Sequence, residues 1–282
     1  MAATVPPTSE APELVIGVVL FWNETAELER LLVSLEQARL TAGSPRFRLE
    51  FWDNSCSPEY RIRLETLGLH SVSYGSENLG FGRAHNRLMA RAFSAPGVRW
   101  YLCLNPDAVV HPDMLSELLR QAARMNRPGL VEAIQFPVEH PKPYDAVTHA
   151  TPWCSGCALL VSRELYETVG GYDEQIFLYC EDVDLSWRAR ASGFDIALAP
   201  QALIHHYTGD RPPGGRTRLE MIRAGAYLGQ KWGGIDFSVA RQGEYEALTG
   251  EPLKLPETPP PTEAMRGVAE FGHMFHFAKA RW

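Results

Sequence analysis

The sequence predicts an α/β fold, an open and mostly parallel sheet flanked by helices. Two patterns carry that expectation. Strand-like and helix-like segments alternate through the first half of the chain, as parallel strands joined by crossover helices require. Short polar clusters (Trp22-Asn23, Asp53-Asn54-Ser55 and Asn105-Pro106-Asp107) follow these strands at their carboxyl ends, where open sheets bind ligands.

The elements follow in order. Residues 14–21 are rich in β-branched side chains and carry no charge, the pattern of a strand buried on both faces. Asn23 or Thr25 is placed to cap a helix over 27–40, whose Leu28, Leu31, Leu32 and Leu35 form one stripe. A second strand is expected over 48–52, a helix over 58–67, a third strand over 70–74 and a helix over 82–93. A fourth buried strand covers 100–104 and a helix 112–125. The second half is less regular. It reads as strands over 131–138 and 154–162, helices over 164–169 and 181–192, and a short strand ending in two histidines. A Gly/Pro/Arg loop over 208–218 then leads to a helix over 219–232. Residues 253–261 form a proline-rich linker, and 265–282 an amphipathic helix with Val268, Phe271, Phe275 and Trp282 on one stripe. The organisation is thus a disordered leader over 1–12, a main domain over 13–210, and an extension over 211–282.

The 282 residues carry 27 Lys+Arg against 34 Asp+Glu, a formal net charge of −7. That balance disfavours a protein that grips nucleic acid, so no nucleic-acid partner is expected. The first residues lack the basic and apolar regions of a secretory signal. The apolar run 14–22 falls short of the roughly 20 residues a spanning helix needs. Five cysteines, an odd number, do not read as a disulfide framework. A cytoplasmic chain is expected, meeting a membrane only as a peripheral protein at its inner face. The terminal aromatic and basic helix reads as a docking or homodimer element rather than a membrane anchor.

Several groups can carry chemistry, each with a plainer alternative. Asp107 ends an apolar strand and suits a hard cation that would neutralise a diphosphate; it equally suits a turn that caps the next element. Glu181-Asp182-Val183-Asp184 sets acidic residues at a helix start, where they also serve as caps. The apolar Phe177-Leu178-Tyr179-Cys180 before them raises a carboxylate pKa, as a general base requires. His205-His206 stands before a Gly-rich loop and can supply a metal ligand or serve the structure alone. Asn78-Leu79-Gly80-Phe81-Gly82 opens a helix with two glycines, which suits a phosphate at its N-terminus. The dinucleotide fingerprint fails, because His85 takes the third glycine's place and the segment follows the third strand; a dehydrogenase is excluded on that ground. Cys154-Ser155-Gly156-Cys157 has no second pair and reads as buried strand, not zinc or redox site. Arg211, Arg216 and Arg218 lie in the loop after the histidines, either as a solvated loop or as one that orders over a diphosphate. A nucleotidyltransferase would show glycine and a basic residue after the first strand, where this chain has Trp22-Asn23-Glu24-Thr25.

Taken in order, Phe21-Trp22-Asn23, Asp53-Asn54-Ser55, Asn78-Leu79-Gly80-Phe81-Gly82 with Asn86, Leu104-Asn105-Pro106-Asp107, Ser155-Gly156, Gly170-Gly171-Tyr172-Asp173-Glu174, Glu181 to Arg188 and His205 resemble the family-2 inverting glycosyltransferases of the GT-A fold. The likeness is to the rhamnosyltransferase-like branch and covers roughly residues 14 to 210. The resemblance implies a GT-A catalytic domain over 13–210 with a C-terminal helical extension. It implies that Asp53 holds the donor's pyrimidine base, with Asn23 and Ser55 nearby, and that Asn78, Gly80 and Asn86 line the nucleotide cleft. Asp107 stands at the last position of the Asp-x-Asp motif, the ligand for Mg²⁺ or Mn²⁺, with Asn105 replacing the first Asp. His205 would complete the metal shell, with His206 the alternative. Asp182 would be the base, Glu181 and Asp184 would support it or bind the acceptor, and Arg188 would compensate charge near the donor phosphates. Trp153 and Gly156 would line the acceptor or sugar pocket. The implied partners are a dTDP- or UDP-sugar donor, with dTDP-rhamnose first, and a saccharide or lipid-linked acceptor in surface polysaccharide synthesis. The competing reading is a nucleotide-sugar-binding scaffold without catalysis, against which the intact Asp107 and Asp182 argue.

Overall fold

The computed structural model describes residues 13–69, 71–140, 142–206 and 215–271. The expected leader, His70, Arg211, Phe275 and Trp282 lie outside the described residues.

The strands are β1 (Leu14–Leu20), β2 (Phe47–Asp53), β3 (Val72–Tyr74), β4 (Trp100–Leu104), β5 (Val109–Val110), β6 (Pro128–Phe136), β7 (Ala158–Ser162) and β8 (Asp195–His205). They form an 8-stranded sheet in the order β3-β2-β1-β4-β7-β6-β8-β5. β1 pairs in parallel with β2 and β4, β2 with β3, and β6 with β8. β7 runs antiparallel between β4 and β6, and the short β5 runs antiparallel to β8. The mostly parallel sheet of the sequence reading therefore holds, with one reversed strand at its middle. Reversal matters for the site. It puts the start of β7, rather than its end, beside the carboxyl end of β4, where Leu104 pairs with Ala158.

The helices are α1 (Thr25–Leu40), α2 (Pro58–Thr66), α3 (Gly80–Phe93), α4 (Met114–Ala122), α5 (Arg163–Val169), α6 (Glu181–Ala191), α7 (Gly215–Trp232), α8 (Ile235–Thr249) and α9 (Glu263–Val268). The cap of α1 is Glu24, not Asn23 or Thr25: the Glu27 carboxylate accepts the Glu24 N–H at 3.3 Å. Three other expectations shift. Cys154 to Cys157 precede β7 instead of forming it, and β8 is far longer than the short strand expected. α7 begins at Gly215, so Arg216 and Arg218 stand on a helix rather than a loop, with Arg218 3.1 Å from Glu244. α8 was not foreseen; Ser238 is its one buried residue, so it has no apolar stripe to read.

Alternation along β1 fills both faces. Leu14, Ile16, Val18 and Leu20 meet α1 and α4 through Leu28, Leu31, Leu35, Leu115 and Leu118. Val15 meets α3 and α6 through Leu88, Met89, Leu185 and Ala189. Gly17 is required by close approach: a Cβ there would lie 1.8 Å from the Tyr101 hydroxyl. That hydroxyl sits 2.6 Å from Nδ1 of His85, whose pKa burial pushes down to about 3, so the ring stays neutral inside the protein. A third cluster, Trp153, Val183, Trp187, Leu228 and Trp232, packs α6 against α7. No helix among the described residues is long and apolar enough to cross a membrane. All five cysteines are free.

Candidate active site

The carboxyl edge of the sheet gathers most of the residues singled out above. Asp53 pairs in register with Leu20 and Tyr74, is buried, and accepts the Ser55 N–H at 2.8 Å. Asn23 accepts the Phe21 N–H at 2.9 Å, and its own N–H reaches the Tyr60 hydroxyl at 3.0 Å. Asn78 accepts the Gly80 N–H at 2.8 Å. Gly80 has a left-handed φ of 77°, and a Cβ there would fall 2.1 Å from the Phe177 carbonyl oxygen, so only glycine opens α3 here. Asn54 ties β2 to this turn: its amide donates to the Gly80 carbonyl at 2.8 Å and accepts the Leu79 N–H at 3.1 Å.

A second group lies around the start of β7 and the start of α6. The Gly156 N–H donates to Asp182 Oδ2 at 2.9 Å, and the Val183 N–H to Oδ1 at 2.8 Å. A Cβ on Gly156 would lie 3.2 Å from the Phe81 ring, so the glycine turn of α3 stands against the same corner. Asp182 is half-buried and Glu181 buried, just after Tyr179 and Cys180 with left-handed φ of 70° and 63°. Two consecutive non-glycine residues in that region store strain that the surrounding packing must hold. Burial pushes the Glu181 carboxyl well above the usual carboxylate range, and the Asp182 charge pushes it the same way. Burial raises Asp182 too, but the Gly156 and Val183 N–H groups and the Lys142 ammonium oppose that rise. Glu181 Oε2 has no hydrogen-bond partner among the described residues. Asp182 is therefore the member of the pair favoured to carry the negative charge.

Asp107 reaches the corner through its loop, since the Asn105 N–H donates to the Cys157 carbonyl at 2.8 Å. Its Oδ1 lies 3.3 Å from His206 Nε2. His205, named first by the resemblance, points the other way: it is exposed and its ring centroid sits 6.0 Å from that of Phe136. Adjacent strand residues face opposite sides, which is why only one histidine can meet Asp107.

Four expected site residues turn out to hold the fold. Asp184 is fully buried and bound to Arg188 at 2.7 Å, Lys231 at 2.6 Å and the Trp232 indole N–H at 2.8 Å. It faces α7, not the cleft. Arg188 has all three nitrogens engaged, by Asp184 and by the carbonyls of Val169 and Gly171 at 2.8 and 2.7 Å, so it does not stand toward a phosphate. Asn86 clamps the Tyr172 backbone, accepting its N–H at 2.7 Å and donating to its carbonyl at 2.8 Å, and does not line the cleft. Trp153 is buried in the α6–α7 cluster with the Lys142 ammonium 4.0 Å over its ring.

Sequence reading missed the support beneath this corner. Glu132, a carboxylate inside the apolar strand β6, is ion-paired with buried Lys142 and accepts the Ser155 N–H at 2.8 Å. The charge in an otherwise apolar run was the available signal; its partner was not readable.

No family model matches the chain. An N-acetylglucosaminyl-diphospho-decaprenol L-rhamnosyltransferase of Mycobacterium tuberculosis is 25% identical over 244 aligned residues, covering 67% of this chain and 75% of the relative. Among solved structures, a mannosyltransferase from Pyrobaculum calidifontis, in complex with GDP-Man and Mn²⁺, superposes with a TM-score of 0.56 at 17% identity. It covers 86% of this chain and 77% of the other. GalNAc-T7 with UDP, GalNAc and Mn²⁺ gives a TM-score of 0.56 at 13% identity, covering 80% and 50%. The two structures are similar to this chain in fold, and the relative is similar to it in sequence over about two thirds of its length. The fold is that of the GT-A glycosyltransferases, and the chain is a glycosyltransferase similar in sequence to the rhamnosyltransferases.

Proposed function

We propose that the chain transfers a sugar with inversion from a nucleoside diphosphate donor to an acceptor hydroxyl, with Asp182 as the base. One observation carries this reading. Asp182 stands at the cleft corner with each carboxylate oxygen fixed by one backbone N–H, which leaves lone pairs for an acceptor proton. As the acceptor oxygen bonds to the anomeric carbon, its proton passes to Asp182 and the bond to the diphosphate breaks. Asp53, Ser55 and Asn23 would hold the base of the nucleotide, with the Asn78–Gly80 turn near them.

A divalent cation, Mg²⁺ or Mn²⁺, fits the pair Asp107 and His206, a carboxylate and an imidazole 3.3 Å apart at the sheet edge. Among the described residues no group of three or more such side chains gathers, so donor oxygens would complete the shell. Bound there, the ion would neutralise the departing diphosphate.

The donor we favour is dTDP-rhamnose, with UDP-sugars second. The name of the mycobacterial relative supports a rhamnosyl donor and a lipid-linked saccharide acceptor. The test is a panel of dTDP-, UDP- and GDP-sugars, scored by thermal shift and by donor hydrolysis, with Mn²⁺, Mg²⁺ and chelator. A shift with dTDP-rhamnose that chelator reverses supports the reading; no response to any donor overturns it.

A further inference from the structure

We infer that Gln135 is a positioning residue that fixes which nitrogen of His206 faces the cation site. The inference rests on the cation reading above and adds to it.

Gln135 lies on β6 and is buried. Its side-chain NH₂ donates to the Ser155 hydroxyl at 3.0 Å. That leaves its carbonyl oxygen, Oε1, turned toward His206 Nδ1 at 3.0 Å. A carbonyl oxygen only accepts, so the nitrogen facing it must carry the proton. Neutral imidazole has a single N–H. With that proton held on Nδ1, Nε2 keeps its lone pair. Nε2 is the nitrogen that faces Asp107 at 3.3 Å and the Asn105 amide nitrogen at 3.4 Å. Unprotonated, Nε2 accepts from the Asn105 amide and offers no N–H to the Asp107 carboxylate, so the arrangement leaves room for a cation between the two and makes no simple His–Asp hydrogen bond.

The orientation of Gln135 has its own anchor. Ser155 is fixed by its N–H to Glu132, and Glu132 by the buried Lys142. The next residue, Gly156, donates to Asp182. One dipeptide, Ser155-Gly156, therefore orients the proposed base through its backbone and the proposed metal ligand through Gln135. The two halves of the reaction share a support that neither the base nor the cation itself supplies.

The opposite arrangement is a definite alternative. Rotating the Gln135 amide by half a turn would let the serine hydroxyl donate to Oε1, place NH₂ against Nδ1, and move the histidine proton to Nε2. The two states give different ring nitrogen spectra.

The experiment uses the full chain labelled with ¹⁵N at about pH 8.5, where an ordinary imidazole is neutral. His206 is assigned by loss of its signals in His206→Ala. The expected spectrum shows a protonated Nδ1 and an unprotonated Nε2. Gln135→Glu keeps an acceptor and retains that tautomer; Gln135→Leu loses it. In parallel, Mn²⁺ alone is titrated and followed by water-proton relaxation. Gln135→Leu should weaken Mn²⁺ about 10- to 100-fold, and Gln135→Glu by no more than about threefold. A protonated Nε2 in the wild-type chain overturns the inference, and so does a Gln135→Leu variant that matches wild type in both readouts. If wild type takes up no Mn²⁺, the cation reading fails, while the ring spectrum still decides for or against Gln135. Should Gln135→Leu not fold, the wild-type spectrum and Gln135→Glu carry the decision.

Discussion

The two ends of one sheet edge are built in opposite ways. Along β1 to β3, Asn54 and Tyr60 apart, the polar side chains close their own turns: Asn23 holds the N–H of Phe21, Asp53 that of Ser55 and Asn78 that of Gly80, each two residues away. Around β6, β7 and α6 the partners are remote. Gly156 and Asp182 are 26 residues apart, Gln135 and His206 71, Asn86 and Tyr172 86, and Asp184 and Trp232 48. A local turn needs only its own backbone, so losing one side chain costs one hydrogen bond. A remote clasp holds two segments together, and its loss leaves buried groups without partners on both.

The largest effect is expected where remote support meets the chemistry. Asp182→Asn should lower transfer about a thousandfold while leaving donor-induced thermal shift and the unfolding midpoint near wild type. Transfer at a near wild-type rate would remove Asp182 as the base. Asp184→Ala should cost about 3–5 kcal/mol in urea unfolding, because it orphans the Trp232 N–H and removes the buried carboxylate that stands between the Arg188 and Lys231 charges. A loss below about 1 kcal/mol would show that the remote clasps are no stronger than the turns.

A paired measurement then addresses the contrast directly. Asn86→Ala removes both bonds to the Tyr172 backbone and should cost about 2 kcal/mol, whereas Asn78→Ala should cost roughly 0.5–1 kcal/mol. Equal losses would erase the distinction. The smallest effect is a slope. In the folded chain Glu181 keeps its proton to a higher pH than in the unfolded chain. Stability therefore falls as pH rises from the ordinary carboxylate range through the raised value. Glu181→Gln should flatten that fall in thermal unfolding from about pH 4 upward. An unchanged slope would assign the proton elsewhere.

The same contrast explains what could be read in advance. The first four strands and their helices announce themselves by alternation, and Asp53, Asn78 and Gly80 by position after a strand. The apolar run before α6 marks the acidic cluster Glu181 to Asp184, and the family resemblance singles out Asp182 within it. Nothing in the spacing shows that Asp184 meets Lys231 and Trp232, or that Asn86 meets Tyr172, since those contacts depend on how distant segments pack. Asp184 and Arg188 were visible as a pair one helical turn apart, but the carbonyls of Val169 and Gly171 that turn Arg188 away were not. His206 rather than His205 faces Asp107 because of the strand pleat and the register of β8 against β6, which pairs His205 with Phe136.

The indole stack at the back of α6 bears on how the chain can be shortened. Trp187 packs at 5.4 Å from Trp232 on α7 and at 5.1 Å from Phe271 beyond α9, and Arg190 holds the Val268 carbonyl at 3.0 Å. Trimming at residue 210, where the sequence alone suggests a seam, would strip both rings from Trp187 and leave the Asp184 carboxylate facing water from inside a former core. Anyone preparing a minimal fragment for crystallisation or display would lose the helix that bears Asp182 along with the tail.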